Sequence, residues 1–311
     1  MTRAPRARPA ILLLALALVV AACGGTAPSA VPSPSVAPSA PPATASPAAT
    51  SPAPTPTPAS TVADEAEVAA LLDAARASVA AGTVRIDYSV EFAGSTAIPD
   101  GVFLTGEGQA SFARPRQAWL SADLRNAGFG DWEMILDDRL LYVRGDIVAQ
   151  AVPAGTWLLV DLDSEHRSVD DFAEIASGQN DTSLALFYIL GATDDVRVAA
   201  GEAIRGVGTR RFEVEIDLER ARERVPEESA AALDENIAAL LEGGIGSVLE
   251  AEIWVGDDGR VLRARYVYTL GAAQGRGTMI GAYEFSDFGA AMELGTPAEA
   301  DVVRLEDAVE R

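Results

Sequence analysis

From Thr83 to Phe92 apolar and polar residues alternate strictly. Val84, Ile86, Tyr88, Val90 and Phe92 fall on one side, and Thr83, Arg85, Asp87, Ser89 and Glu91 on the other. That period of two belongs to a strand with one buried face. Immediately before it the period is helical: Val68, Leu71, Leu72, Ala75 and Val79 make one stripe. Thr61-Val-Ala-Asp64 offers a capping box at its start and Gly82 a stop at its end. Strand-like alternation continues over Leu104–Phe112 and Gln117–Leu124, with shorter strands predicted over 132–136, 140–143 and 156–162.

The middle of the chain turns helical. Asp170–Ser177 is a short candidate, and Asn180 or Asp181 can cap the apolar run Leu184–Leu190, which stops at Gly191. A strand is predicted over Val207–Leu218. Pro226 then opens an amphipathic helix with Leu233, Ile237, Leu240 and Leu241 on its apolar stripe. Leu249–Val255 and Arg260–Leu270 flank Gly256-Asp-Asp-Gly259, whose Asp-Gly step is a hairpin signal. Thr278–Phe288 and a final edge strand over Val302–Leu305 complete the order. Helix, meander, helices, meander implies the α+β class: a single antiparallel sheet with its helices gathered on one face. No polar linker interrupts residues 61–311, so one domain is expected there.

One pair of strands suggests a site. The apolar face of the second strand reads Leu104, Gly106, Gly108, Ala110, Phe112, and its neighbour reads Ala118, Leu120, Ala122, Leu124. Glycine in a strand marks a bulge, a bend or a close approach, and small residues suit a curved sheet with room above its concave face. The helix Leu184–Leu190 is apolar nearly all round, so it is either fully buried or a lid whose second face meets an apolar ligand. Two readings stand side by side. Either the helix packs tightly onto the small positions, or Gly106, Gly108, Ala110 and Leu120 face Leu184, Phe187, Tyr188 and Leu190 across an apolar cavity. The opposite face of the sheet carries Glu213, Glu215 and Asp217 near Arg263 and Arg265 and reads as solvated.

The amino terminus changes the picture. Arg3, Arg6 and Arg8 precede an apolar run of 11 residues, Ala10 to Val20, too short for a membrane span of about 20 and suited to a cleaved signal peptide over residues 1–22. Val20-Ala21-Ala22-Cys23 resembles the bacterial lipobox, which implies that the sole cysteine carries a diacylglyceryl group and becomes the new amino terminus. Residues 23–60 then form a tether: its 37 residues after Cys23 hold 11 of the 18 prolines and no charge, so they bury no core. Fully extended they reach about 110 Å. Loss of three arginines leaves 21 basic residues, all arginine, against 46 acids. So acidic a chain is repelled by nucleic acid and by anionic lipid surfaces, which excludes a nucleic-acid partner and leaves the membrane contact to Cys23.

Little here supports catalysis. The chain has one histidine, His166, in an acidic stretch that lacks the glycine and glutamate of an EF-hand loop. It has no Gly-x-Ser-x-Gly elbow, His-Glu-x-x-His helix, Cys-x-x-Cys pair or phosphate-binding loop. No catalytic residue, metal or cofactor is expected. Trp119, Trp132, Trp157 and Trp254 fall in strand patterns and read as core or sheet-edge residues.

The order of elements, with Arg205-Gly-Val-Gly-Thr-Arg-Arg-Phe-Glu-Val-Glu-Ile-Asp217, Ala251-Glu-Ile-Trp-Val-Gly-Asp-Asp-Gly-Arg260 and Tyr283-Glu-Phe-Ser-Asp-Phe-Gly289, resembles the LppX/LprG group of actinobacterial lipoproteins, related in fold to the LolA and LolB carriers. The resemblance covers about residues 62 to 306. It implies a half-barrel sheet wrapped over helices with an apolar cavity between them, and a role in binding or moving acylated lipids at the cell envelope. The absence of lysine, the acidity and the long tether depart from it and make an anionic headgroup disfavoured. The expectation is therefore an exported, lipid-anchored monomer on the outer face of the cytoplasmic membrane. It binds, and in the fuller version transports, a lipid or other apolar ligand. The alternative is a ligand-free module that recognises an envelope protein.

Overall fold

The computed structural model of the chain describes residues 60–95, 100–112, 117–127, 130–149, 151–162, 164, 184–242, 244–271, 276–292 and 294–309. The leader, Cys23, the tether, His166, the short helix expected over Asp170–Ser177 and the cap at Asn180 or Asp181 lie outside those residues. The strands are β1 (Thr61–Val62), β2 (Thr83–Ala93), β3 (Gly101–Ser111), β4 (Gln117–Asp123), β5 (Asp131–Asp137), β6 (Leu140–Gly145), β7 (Trp157–Asp161), β8 (Ala192–Ala200), β9 (Thr209–Asp217), β10 (Val248–Gly256), β11 (Val261–Thr269), β12 (Thr278–Ser286) and β13 (Val302–Arg304). The helices are α1 (Glu65–Ala80), α2 (Leu184–Tyr188), α3 (Leu218–Arg222), α4 (Glu227–Glu242) and α5 (Leu305–Val309).

These strands join into one curved, unclosed sheet in the order β1-β8-β9-β10-β11-β12-β2-β3-β4-β5-β6-β7-β13. Every pairing is antiparallel except β13 with β7. The α+β expectation therefore holds, with helices on the inner face. Alternation fixes which side chains turn inward. One row runs Phe285, Ile86, Gly108, Leu120, Met134, Val143, Leu158 across adjacent strands, and the row beside it on the outer face runs Arg85, Gln109, Trp119, Ile135, Tyr142, Leu159.

The inner face carries two packed regions. The larger one holds α1 to α4 against β8–β12, β2 and the Ala110–Phe112 end of β3. The smaller one joins β4–β7 to Val148, Val152 and Leu305. Strands β5–β7 are apolar at successive positions because both of their faces are covered: Ile135, Tyr142, Trp157 and Leu159 pack outward with Leu294 and Val302. Trp157 and Trp254 are buried, whereas Trp119 and Trp132 are half-buried.

Three differences from the sequence expectation have local causes. The capping box sits three residues later than expected. Asp64 accepts from the Glu67 amide and Glu67 returns the bond to the Asp64 amide, at 2.9 and 3.0 Å. Thr61 and Val62 are instead drawn into β1 by pairing with the free edge of β8. Strand β8 itself carries no clear period of two in its first half, because Thr193, Asp194 and Asp195 fall in a register shift between Ala192 and Val196. The third is α3, a single turn started by the Asp217 carboxylate accepting from the Glu219 and Arg220 amides.

Helix α1 is tied to the sheet by Ser78. Its buried hydroxyl donates to the Ala74 carbonyl at 2.8 Å and accepts from the Val261 amide at 2.9 Å. Ser78→Ala leaves that strand amide without its partner, so we expect a loss of about 1–3 kcal/mol in unfolding free energy, read from the urea midpoint. On the outer face Arg211, Arg263 and Arg265 pair with Glu213, Glu252, Glu284 and Glu202. These solvated pairs contribute about 0–1 kcal/mol each.

Candidate ligand-binding site

A helix without a polar face must be enclosed, and α2 is. All residues from Leu184 to Leu190 are at most 5% exposed and Gly191 is buried as well. α1, α3 and β11 pack against it. Its carbonyls are met by side chains from outside: Tyr266 donates its hydroxyl to Ala185, and Arg224 Nη1 donates to Leu190 at 3.0 Å. Tyr188 donates to the buried amide oxygen of Asn236. Gly191 is required where it stands, since a Cβ there would overlap the Asp217 carbonyl oxygen.

The aromatic rings around α2 meet edge to face, as their quadrupoles favour. Phe187 meets Phe112 at 5.9 Å and Tyr188 meets Tyr266 at 5.6 Å. Tyr266, Tyr268 and Tyr283 continue the cluster along β11 and β12. Burial pushes the Tyr266 and Tyr268 hydroxyls well above the usual phenol range, and raises those of Tyr88 and Tyr283 too. They remain neutral phenols that bond within the protein.

Of the positions predicted to face a cavity, the structure gathers some and separates others. Ala110, Leu184, Phe187, Tyr188 and Leu190 share the larger packed region. Gly106, Gly108 and Leu120 do not meet α2 there. The space over Gly108 is filled by the Leu120 side chain, and that over Gly106 by the Tyr88 ring. Tyr88 is fixed in place by a 3.2 Å bond from its hydroxyl to the Ser121 carbonyl. The glycines thus accommodate neighbouring side chains of the sheet itself.

Open space occurs where Phe187 and Leu190 reach the edge of the core. A groove of about 440 Å³ is bounded by Val79 and Ala80 of α1, by Gly82 and Phe112 at the ends of β2 and β3, and by Phe187 and Leu190. Val225, Pro226 and Ser229 close its far side, and Arg76 and Arg224 complete the lining. Its size lies in the ~300–1,000 Å³ range of small-molecule sites, and its mostly apolar walls with few polar groups are also typical of them. The sequence offered no signal for this site beyond Phe187 and Leu190, because the carboxyl end of α1 and the α3–α4 connection are far apart in the chain. A larger concavity of about 670 Å³ lies on the outer face over β3–β6. Its lining combines Trp119 and Trp132 with Glu107, Asp123, Asp131, Glu133 and Arg144, so it carries more charged groups than the groove.

Among the described residues no group of three acidic, histidine or cysteine side chains is placed to hold a metal. No helix among them is long and apolar enough to cross a membrane.

No family model matches the chain and no curated protein does either. Solved structures do resemble it. LprF from Mycobacterium bovis is 14% identical, with 78% of this chain and 100% of that one covered at a TM-score of 0.45. In the same way the chain is similar to the Mycobacterium tuberculosis lipoprotein LppX, 16% identical over 74% of this chain and 99% of that one, at a TM-score of 0.43.

Proposed function

We propose that this chain is an exported, non-enzymatic envelope lipoprotein, anchored through Cys23, whose domain binds a lipid or other apolar molecule. The observation that carries the reading is the groove beside α2, lined by Val79, Phe112, Phe187, Leu190 and Val225 in a chain that is otherwise densely acidic. An acyl chain laid along these residues gains about 0.8 kcal/mol per buried methylene. The buried, multiply bonded α2 forms a fixed wall of the site. Residues 1–22 supply export, residues 23–60 the tether, and residues 61–311 the binding domain. In this reading Gly106, Gly108, Ala110 and Leu120 shape the curved sheet, while Leu184, Phe187, Tyr188 and Leu190 form the wall. Release of the ligand to a second membrane or carrier would make the protein a transporter.

The test uses the mature chain with Cys23→Ser, so that no covalent acyl group contributes. Gentle purification followed by lipid extraction and mass spectrometry is expected to yield bound lipid near one equivalent. An empty protein that also fails to take up a fluorescent fatty acid would overturn the proposal. Specific crosslinking of that empty protein to one envelope protein would favour the protein-recognition role instead.

A further inference from the structure

Acids outnumber arginines 46 to 24 over the whole chain, yet the groove beside α2 has the opposite balance. Arg76 and Arg224 line it and, among the described residues, no carboxylate does. Among the described residues Arg224 makes no ion pair. Its one side-chain bond is Nη1 to the Leu190 carbonyl, at 3.0 Å, which leaves the rest of the guanidinium fork unused. Among the described residues Arg76 pairs with Asp73 on its own helix, at 2.9 Å, with both side chains more than half exposed. So exposed a pair is worth about 0–1 kcal/mol and yields readily to a competing anion.

We propose that the groove selects an amphiphile with an anionic headgroup, a carboxylate or phosphate held by Arg224 and Arg76, with its chain on Phe112, Phe187 and Leu190. This deepens the lipid-binding reading and rests on it. It also reverses the expectation from net charge. Acids more than about 8–10 Å away are largely screened at physiological ionic strength, so the two adjacent guanidiniums decide the local preference. A guanidinium fork matches both carboxylate and phosphate.

The mature Cys23→Ser chain is titrated with oleate, oleoyl lysophosphatidate and the neutral ester methyl oleate, each below its aggregation threshold. At least one anion is expected to bind about tenfold or more tightly than the ester, the better of the two identifying the headgroup. Arg224→Gln should remove most of that advantage, Arg76→Gln part of it, and neither should weaken the ester. Since both side chains are exposed, unchanged thermal midpoints will confirm intact folding. Equal affinity for anions and ester, or variants that lower all three alike, overturns the headgroup assignment and leaves lipid binding standing. Failure of all three to bind overturns both.

Discussion

Cys23→Ser is expected to move the protein from the membrane fraction to the soluble fraction almost completely. On the proposed reading, the acyl chains on Cys23 supply the membrane contact. The tether carries no charge, and the domain combines 46 acids with 21 arginines once the leader is removed, a balance that anionic lipid surfaces repel. Two or three acyl chains anchor stably, whereas even one myristoyl chain gives an association constant of only about 10⁴ M⁻¹. Removing every chain should therefore leave little of the protein with the membrane. Fractionation of cells expressing either form, with mass measurement of the wild-type amino terminus, reads the outcome. A Cys23→Ser protein that stays with the membrane would show that the domain itself holds the bilayer, against its charge.

The second large effect lies inside the domain. Leu186→Ala should cost about 2–5 kcal/mol of unfolding free energy, the range for truncating a fully buried leucine. Leu186 is 0% exposed and lies on a helix enclosed by α1, α3 and β11. Those elements are fixed by their own bonds to the sheet, such as Ser78 to Val261, so they cannot collapse into the vacated space. Val248→Ala is the control, at a valine 51% exposed where a change of no more than about 0.5 kcal/mol is expected. Comparing urea midpoints of the two variants separates core loss from general loss of apolar surface. Equal small effects would mean that α2 is not held as tightly as its burial indicates.

The two expected effects concern a proposed anchor that is local in sequence and a core that is not. That division also separates what was legible from what was hidden. Strands β2, β3, β4, β9, β10 and β11 were readable because each buries one face and so alternates. Helix α4 was readable because Pro226 and its stripe at Leu233, Ile237 and Leu240 act within a few turns. β8 was hidden because its first half is bulged, and β1 because two residues form a strand only when an open edge is there to pair with. The doubled burial of β5–β7 showed as apolar runs, but the cover over their outer face, including Leu294 and Val302, comes from distant chain.

By itself the sequence determined the α+β class and the apolar character of Leu184–Leu190, and it is the whole basis for proposing an export signal, an acceptor cysteine and an uncharged tether, since all of these depend on neighbouring residues. Only the tertiary structure decided where open space lies. The small positions at Gly106 and Gly108 proclaim room, yet whether that room stays empty depends on Tyr88 and Leu120 crossing from adjacent strands to fill it. Arg76, Phe112, Phe187 and Arg224 come together at the groove because α1 and the α3–α4 connection meet over the end of α2. Periodicity reports which face of an element is buried, and it carries no information on where two such elements leave a gap.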